Sequence, residues 1–449
     1  MYMKKVNLLF CVGLLSASFC CGKAVAQQSD SITMNLDKVL EVALTDNPTI
    51  QVADKTIEVQ KYAKKESIAG LFPTVSVTAA GVDNVKVATM TLKMGDQVIK
   101  AQMGRPYNYS LQGVAQMPLI APQLWKMIKL NEEQVALAVE QARESKVKTI
   151  SQVKQAFYQL LLARESYDVL LASYKTAEKN ANDTRVRFEV GSASEYDKLQ
   201  AEVQQASIEP QMLAAKNGIE LAEMQLKVLM GVDVSEPLKF EGQLLDYEEN
   251  LFNDLMMLKS DVDLSDNSTL KQLDLQKNQL ILAEKINKLG YWPTLALQFS
   301  AGYSAMPDEF NPFKAPYYGS EALTLAFSWT LWDGGTKLIA TRKNKLQLES
   351  LDIQRENVKK QLELAIEASL TNIETAAEQV VSNKKNAYNA ERAYNISEVR
   401  YNAGSGTMLE MNASESSLLS AQLQYKQAIY DYLQNRTTLE ETLGTAMTK

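Results

Sequence analysis

The sequence predicts an α+β membrane protein made of two internal repeats, each combining long antiparallel coiled-coil helices with two β-strands. Three observations predict it. One set of short motifs recurs at a near-constant offset, apolar residues fall seven apart through long stretches without Gly or Pro, and shorter stretches between them alternate apolar with small or polar residues.

At the N-terminus, Lys4 and Lys5 precede an apolar run from Val6 to Phe19, and Ala24-Val25-Ala26 stands before Gln27, the pattern of a cleavable export signal over residues 1–26. That run is too short to span a bilayer as a helix, and no later stretch approaches the roughly 20 apolar residues a spanning helix needs. Membrane insertion would therefore use strands. Cys11, Cys20 and Cys21 all lie inside the signal, which leaves the mature chain no disulfide framework and no cysteine metal site. Acylation of Cys20 or Cys21 is the alternative, disfavoured by the bulky Phe19 before Cys20.

Loss of the signal removes three lysines and no acid, taking the net charge from −7 to about −10 and arguing against nucleic acid as a partner. Histidine is absent, and with it the commonest general base and transition-metal ligand. No phosphate-cradling Gly-x-x-x-x-Gly-Lys loop occurs either. We expect no enzyme activity, cofactor or metal, and read Glu248-Glu249 as solvated linker charges.

The first repeat, 27–231, opens with Asp46-Asn47-Pro48-Thr49-Ile50, which returns 220 positions later as Asp266-Asn267-Ser268-Thr269-Leu270. A helix is expected from Pro48 to Gly70. Leu71-Phe72-Pro73-Thr74-Val75 then leads into a strand, as Tyr291-Trp292-Pro293-Thr294-Leu295 does in the second repeat, 266–444. Each repeat offers two strands of 12 to 16 residues, joined through 93–105 or 306–316. Leu323, Leu325, Phe327, Trp329 and Leu331 alternate with Thr324, Ala326, Ser328 and Thr330, so one face is apolar. Such lengths suit tilted membrane strands of about 9–11 residues.

Long helices follow, over 123–188 and 336–401. Val153, Leu160, Tyr167, Tyr174, Ala181 and Phe188 fall seven apart, as do Ile366, Ile373, Val380, Ala387, Tyr394 and Tyr401, the signature of helices winding about one another. Returning helices are expected over 194–230, with a kink at Pro210, and over 408–443. Each returning helix plus each short helix nearly equals the long one, so the two should stack end to end beside it in a rod about 100 Å long. An acidic stretch, 232–265, links the repeats, and 445–449 is a tail. Four strands cannot close a barrel, and open edges are not tolerated in lipid, so several chains must share one barrel: two would give eight strands, three would give twelve.

Asn47-Pro48, Pro73 and Pro293 before strands, Leu331-Trp332-Asp333-Gly334-Gly335 after the last strand, and the two glycine turns, all in duplicate order, make the mature chain resemble the TolC-like outer membrane efflux protein family. The resemblance implies a homotrimer with a twelve-stranded barrel in outer-membrane lipid and a helical tunnel across the periplasm. It also implies a periplasmic adaptor and an inner-membrane transporter as partners, and export of small molecules. Secretion of proteins through the same kind of duct is the nearest alternative; a periplasmic adaptor or a structural coiled-coil envelope protein are alternatives of another class.

Candidate sites sit at the helix-to-helix turns. Arg187-Phe188-Glu189-Val190-Gly191-Ser192 pairs with Arg400-Tyr401-Asn402-Ala403-Gly404-Ser405 at an offset of 213. Gly191 and Gly404 stand where left-handed residues end helices, and Ser194 with Asp197, or Thr407 with Glu410, has capping-box spacing. In the resembling family such turns form the periplasmic end, which implies adaptor docking by Arg187, Gly191, Ser192, Arg400, Gly404 and Ser405. Asp183, Asp197 and Glu410 are candidates for a tunnel constriction, the last two also reading as caps. Tyr107, Tyr109, Trp329 and Trp332 are candidates for an aromatic girdle at the lipid boundary, and Asp333 for the cap of the second long helix.

Overall fold

A computed structural model describes residues 32–94, 97–248 and 264–444. The export signal, Cys20 and Cys21, Glu249 and the tail lie outside the described residues. The elements follow the chain as β1 (Ile32–Met34), α1 (Leu36–Asp46), α2 (Pro48–Ala69), β2 (Thr74–Asp83), β3 (Ala88–Met94), β4 (Gln97–Met103), β5 (Tyr107–Ile120), α3 (Pro122–Glu189), α4 (Glu195–Met230) and β6 (Leu238–Phe240). The second repeat gives α5 (Ser268–Leu289), β7 (Thr294–Ala305), β8 (Tyr318–Ser328), α6 (Thr336–Asn402) and α7 (Met408–Leu443).

The helices lie side by side in a layer. Near the strands the order is α2-α3-α5-α6; at the opposite end it is α4-α3-α7-α6. Helix α3 has 68 residues and α6 has 67, about 100 Å each at 1.5 Å per residue. Helix α4 runs through Pro210 without ending there. Heptad residues supply the core: Val153, Leu160, Ile366, Ile373 and Val380 are buried, as are Tyr432 and Leu439, seven apart on α7.

End-to-end stacking is built by one device used twice. Asn47 caps α2, accepting from Thr49 N at 2.8 Å, and donates its Nδ2 to the Leu229 carbonyl of α4 at 2.6 Å. Asn267 likewise caps α5, accepting from Leu270 N at 3.1 Å, and donates to the Thr442 carbonyl of α7 at 2.8 Å. Each asparagine therefore satisfies orphan groups on both sides of the joint. Gly231 and Gly444 end the incoming helices at φ +77° and +76°.

Strands β2-β5-β7-β8 form one antiparallel sheet. Its register sorts side chains by face. The row Val75-Ala115-Phe299-Leu323 is apolar and the adjoining row Thr74-Gln116-Gln298-Thr324 is polar. The apolar face is bare in the single chain, with Leu323 71% and Phe327 64% exposed. Glu321, in the row Val77-Gly113-Ala301-Glu321, interrupts that face on the outermost strand.

Two expectations need correction. The first repeat does not join its strands by one loop over 93–105: β2 ends at Asp83 after 10 residues, and β3 and β4 pair with each other as an extra hairpin. That hairpin is a separate two-stranded sheet, and the chain re-enters the four-stranded one at Tyr107. Within the segment 232–265, Leu238–Phe240 pairs in parallel with Ile32–Met34. Arg164 of α3 fixes this small sheet to the layer, donating to the Phe240 carbonyl and to Glu223 at 2.6 Å. Nor is Glu248 a solvated charge; it accepts from the Tyr425 hydroxyl at 2.7 Å and pairs with Lys384 at 2.8 Å.

Candidate functional site

Both hairpin turns are closed by the same backbone motif. Gly191, at φ +75°, donates to the Phe188 carbonyl, and Ser192 N reaches the Arg187 carbonyl at 2.7 Å. Gly404, at φ +73°, repeats this with Tyr401, and Ser405 N with Arg400. These are Schellman closures, which need a residue free to adopt the left-handed conformation. The Ser192 and Ser405 hydroxyls then donate back to the Arg187 and Arg400 carbonyls. The next helices start on complete capping boxes, Ser194 with Asp197 and Thr407 with Glu410.

The two arginines, equivalent in sequence, act differently. Arg187 crosses to the neighbouring turn, donating Nη2 to Asn402 Oδ1 at 2.9 Å with its guanidinium 5.3 Å from the Tyr401 ring centre. Arg400 folds over its own turn, donating to the Ser405 carbonyl at 3.2 Å and approaching Glu410 to 4.0 Å. All six docking candidates thus sit at one end of the layer, the two turns locked together through Arg187. Asp197 and Glu410 hold helix starts, while Asp183 is exposed on α3 about one turn from Arg187.

Sequence reasoning missed the apolar rim of these turns. Val190, Tyr196, Val399 and Leu409 are exposed beside the charged and glycine residues. Clustered apolar surface of this kind marks contact sites. The heptad count could have found it, since none of the four falls on the buried heptad positions.

The aromatic candidates lie at both ends of the sheet. Trp329 and Trp332 are exposed at the end next to the helices, where Trp329 Nε1 donates to the Tyr291 carbonyl at 2.9 Å. Tyr291, Trp292 and Phe72, which the sequence reading did not include, are also exposed there. Tyr107 and Tyr109 lie at the far end, both packed edge-on against Phe310. Tyr109 is only 9% exposed, so it is covered by the β7–β8 loop rather than open to lipid. Tyr303, on the same face one strand away, is exposed. Asp333 caps α6 as expected, accepting from Gly335 N at 3.2 Å and Lys337 N at 3.1 Å.

Among the described residues, no three carboxylates converge to hold a metal ion, and no helix is long and apolar enough to cross a membrane.

Residues 39–232 and 267–445 match the family model described as outer membrane efflux protein. The toluene efflux pump outer membrane protein TtgC of Pseudomonas putida is 24% identical over 403 residues, 86% of this chain and 78% of that one. Outer membrane protein TolC of Escherichia coli is 23% identical over 336 residues, 72% of this chain and 66% of that one, so the chain spans about two thirds of the TolC sequence it matches. The Campylobacter jejuni CmeC outer membrane channel superposes with a TM-score of 0.72 at 15% identity, covering 97% of this chain and 94% of that one. VceC of Vibrio cholerae gives 0.68 at 15%, covering 91% and 96%.

Proposed function

The chain belongs to the outer membrane efflux protein family, and from that premise we propose that it is the outer-membrane exit duct of a tripartite efflux pump. It carries small molecules across the periplasm and the outer membrane, working with a periplasmic adaptor and an inner-membrane transporter. The observation that carries this reading is a four-stranded sheet, apolar on one face and polar on the other, joined to a helix layer about 100 Å long.

Strands β2 and β8 are the edges of that sheet. Unpaired strand edges are excluded from lipid, so copies of the chain complete one another. Three copies give a twelve-stranded barrel with the polar rows Thr74-Gln116-Gln298-Thr324 inside and Val75-Ala115-Phe299-Leu323 against lipid. The helix layer supports the same assembly. Its outer helices near the strands, α2 and α6, carry exposed residues seven apart, Val52 and Val59 on one and Ile339, Leu346 and Ile353 on the other. Those stripes pack between neighbours as heptad seams.

In this arrangement the two helix turns lie at the periplasmic end. Arg187, Gly191, Ser192, Arg400, Gly404 and Ser405, with the apolar rim, form the adaptor-docking surface; Asp183, Asp197 and Glu410 ring the narrow end of the tunnel. The division into 27–231, linker and 266–444 gives each protomer two quasi-equivalent docking turns.

Planar-bilayer conductance of the detergent-extracted oligomer tests the proposal. A stable trimer with discrete pore conductance is expected. Extraction without detergent, or a bilayer that stays silent when the tips are loosened by Arg187→Ala, overturns it.

A further inference from the structure

A buried carboxyl lies at the seam between the two helical hairpins. Glu415, on α7, is 3% exposed, and neither of its carboxylate oxygens makes a well-formed hydrogen bond within the chain, although the Ser173 hydroxyl is close enough to act on it. Ser173 on α3 and Tyr394 on α6 face it, and Asn180 on α3 faces Tyr394; Ser173 Oγ, Asn180 Nδ2 and Tyr394 Oη are likewise buried without a well-formed hydrogen bond. Native interiors hold few such groups, so five atoms on three helices at one seam single it out as a polar site inside otherwise apolar packing. Hydrogen bonds also cross the seam at the adjoining turns: Gln204 to Ser416 at 3.2 Å, Asn412 to the Gln200 carbonyl at 3.3 Å, and Arg187 to Asn402 at 2.9 Å.

The charges around Glu415 oppose its ionisation. From α3 it meets the neutral Ser173; from α6, Tyr394, itself paired with Asn180 of α3, and the carboxylate of Glu398, a like charge. Helix α4 reaches the neighbouring turns of α7 through the neutral Gln200 and Gln204. Burial pushes the carboxyl up from 4.5 to about 7, offset in part by the Ser173 hydroxyl, with the Glu398 charge adding a smaller push upward.

We propose that Glu415 is a proton-operated latch: neutral, it lets α7 and α6 close on α3, and ionised, it drives the second hairpin away from the first. The sign follows from linkage. A carboxyl whose affinity for protons is raised in the closed state favours closure at low pH, and that preference is lost as pH rises from the open-state value through the closed-state one. Per subunit, the swing in the closed-to-open equilibrium is at most about 300-fold, reached only if the carboxyl regains its ordinary affinity on opening, and most of it falls between about pH 5 and about pH 8.

Because a pore readout rests on the duct reading, the experiment pairs two measurements on the full-length oligomer. Bilayer conductance and amide hydrogen exchange over 408–419, normalised for intrinsic exchange, are followed across that pH range. In the native chain both opening and exchange should rise with pH. Glu415→Gln should hold them low and flat, and Glu398→Gln, by removing the like charge, should move the rise to lower pH. Exchange that responds as described in a protein that never conducts leaves the latch standing and sinks the duct. Native and Glu415→Gln exchange profiles that coincide overturn the latch; should Glu415→Gln not assemble, an unmoved Glu398→Gln midpoint overturns it.

Discussion

The coaxial joint between α4 and α2 offers the sharpest test of the architecture, through three glycines with the same backbone angle and different surroundings. Gly191, Gly231 and Gly444 sit at φ +75°, +77° and +76°. A left-handed conformation costs an L-residue about 1–2 kcal/mol, so Gly→Ala starts from the same strain at each. The space differs. An added Cβ at Gly191 meets nothing within 4 Å, at Gly444 it lies 3.2 Å from the Asp266 carbonyl oxygen, and at Gly231 it lies 2.3 Å from the Asp46 carbonyl oxygen and 2.7 Å from its carbon. Backbone at that distance cannot swing aside as a side chain does. Relief at Gly231 must part the two helix ends and stretch the 2.6 Å bond from Asn47 to Leu229, a buried hydrogen bond worth roughly 0.5–1.5 kcal/mol with a further penalty for orphaning its groups. The expected losses are about 1 kcal/mol for Gly191→Ala, about 2 for Gly444→Ala and at least about 3 for Gly231→Ala. Denaturant unfolding of the detergent-solubilised protein by circular dichroism reads the series. Equal losses at the three positions, or a larger loss at Gly191 than at Gly231, would refute stacking of α4 on α2.

Further outcomes follow from the sheet, the turns and the mid-layer ion pairs. Leu325→Lys, on the apolar face, should cost about 2–4 kcal/mol of insertion and leave the chain out of the membrane fraction, whereas Thr324→Lys, one residue away on the polar face, should insert normally. Arg187→Ala removes an exposed contact worth about 0.5–1 kcal/mol, so the fold should hold while crosslinkers at Ser192 and Ser405 lose adaptor capture; capture from distant positions only would sink the docking surface. Glu440 shows the opposite balance to Glu415: burial disfavours its charge, but Lys154 at 2.7 Å and Arg436 at 3.0 Å prevail and hold it below the usual carboxylate range. Its contribution is therefore complete above the unfolded value and fades as pH falls through the folded one, so Glu440→Gln should cost about 2 kcal/mol at neutral pH and nothing at low pH, by unfolding midpoints.

What the sequence disclosed divides along the range of the forces involved. Helix lengths were legible because local signals bound them: Pro48 and Asn47 open α2, Ser194 and Thr407 open the returning helices, and Gly191, Gly231, Gly404 and Gly444 close helices with positive φ. The heptads located the seams because a seven-residue repeat is a property of one helix. By contrast, the β3–β4 hairpin left no comparable mark, since its alternation matches that of the strands beside it and nothing local states that it pairs with itself. Pairing of Leu238–Phe240 with Ile32–Met34 joins segments some 200 residues apart, and three-residue strands carry too little pattern to announce a partner. The candidate turns were found by repetition, yet repetition concealed their difference, for Arg187 and Arg400 occupy equivalent places and only one of them reaches across. Glu415 was invisible for a related reason. A lone acid between Ser414 and Ser416 reads as solvated surface, and its burial exists only where α3, α6 and α7 meet. The duplication thus specifies the frame twice over, while the places where the copies diverge are those that tertiary contact alone can reveal.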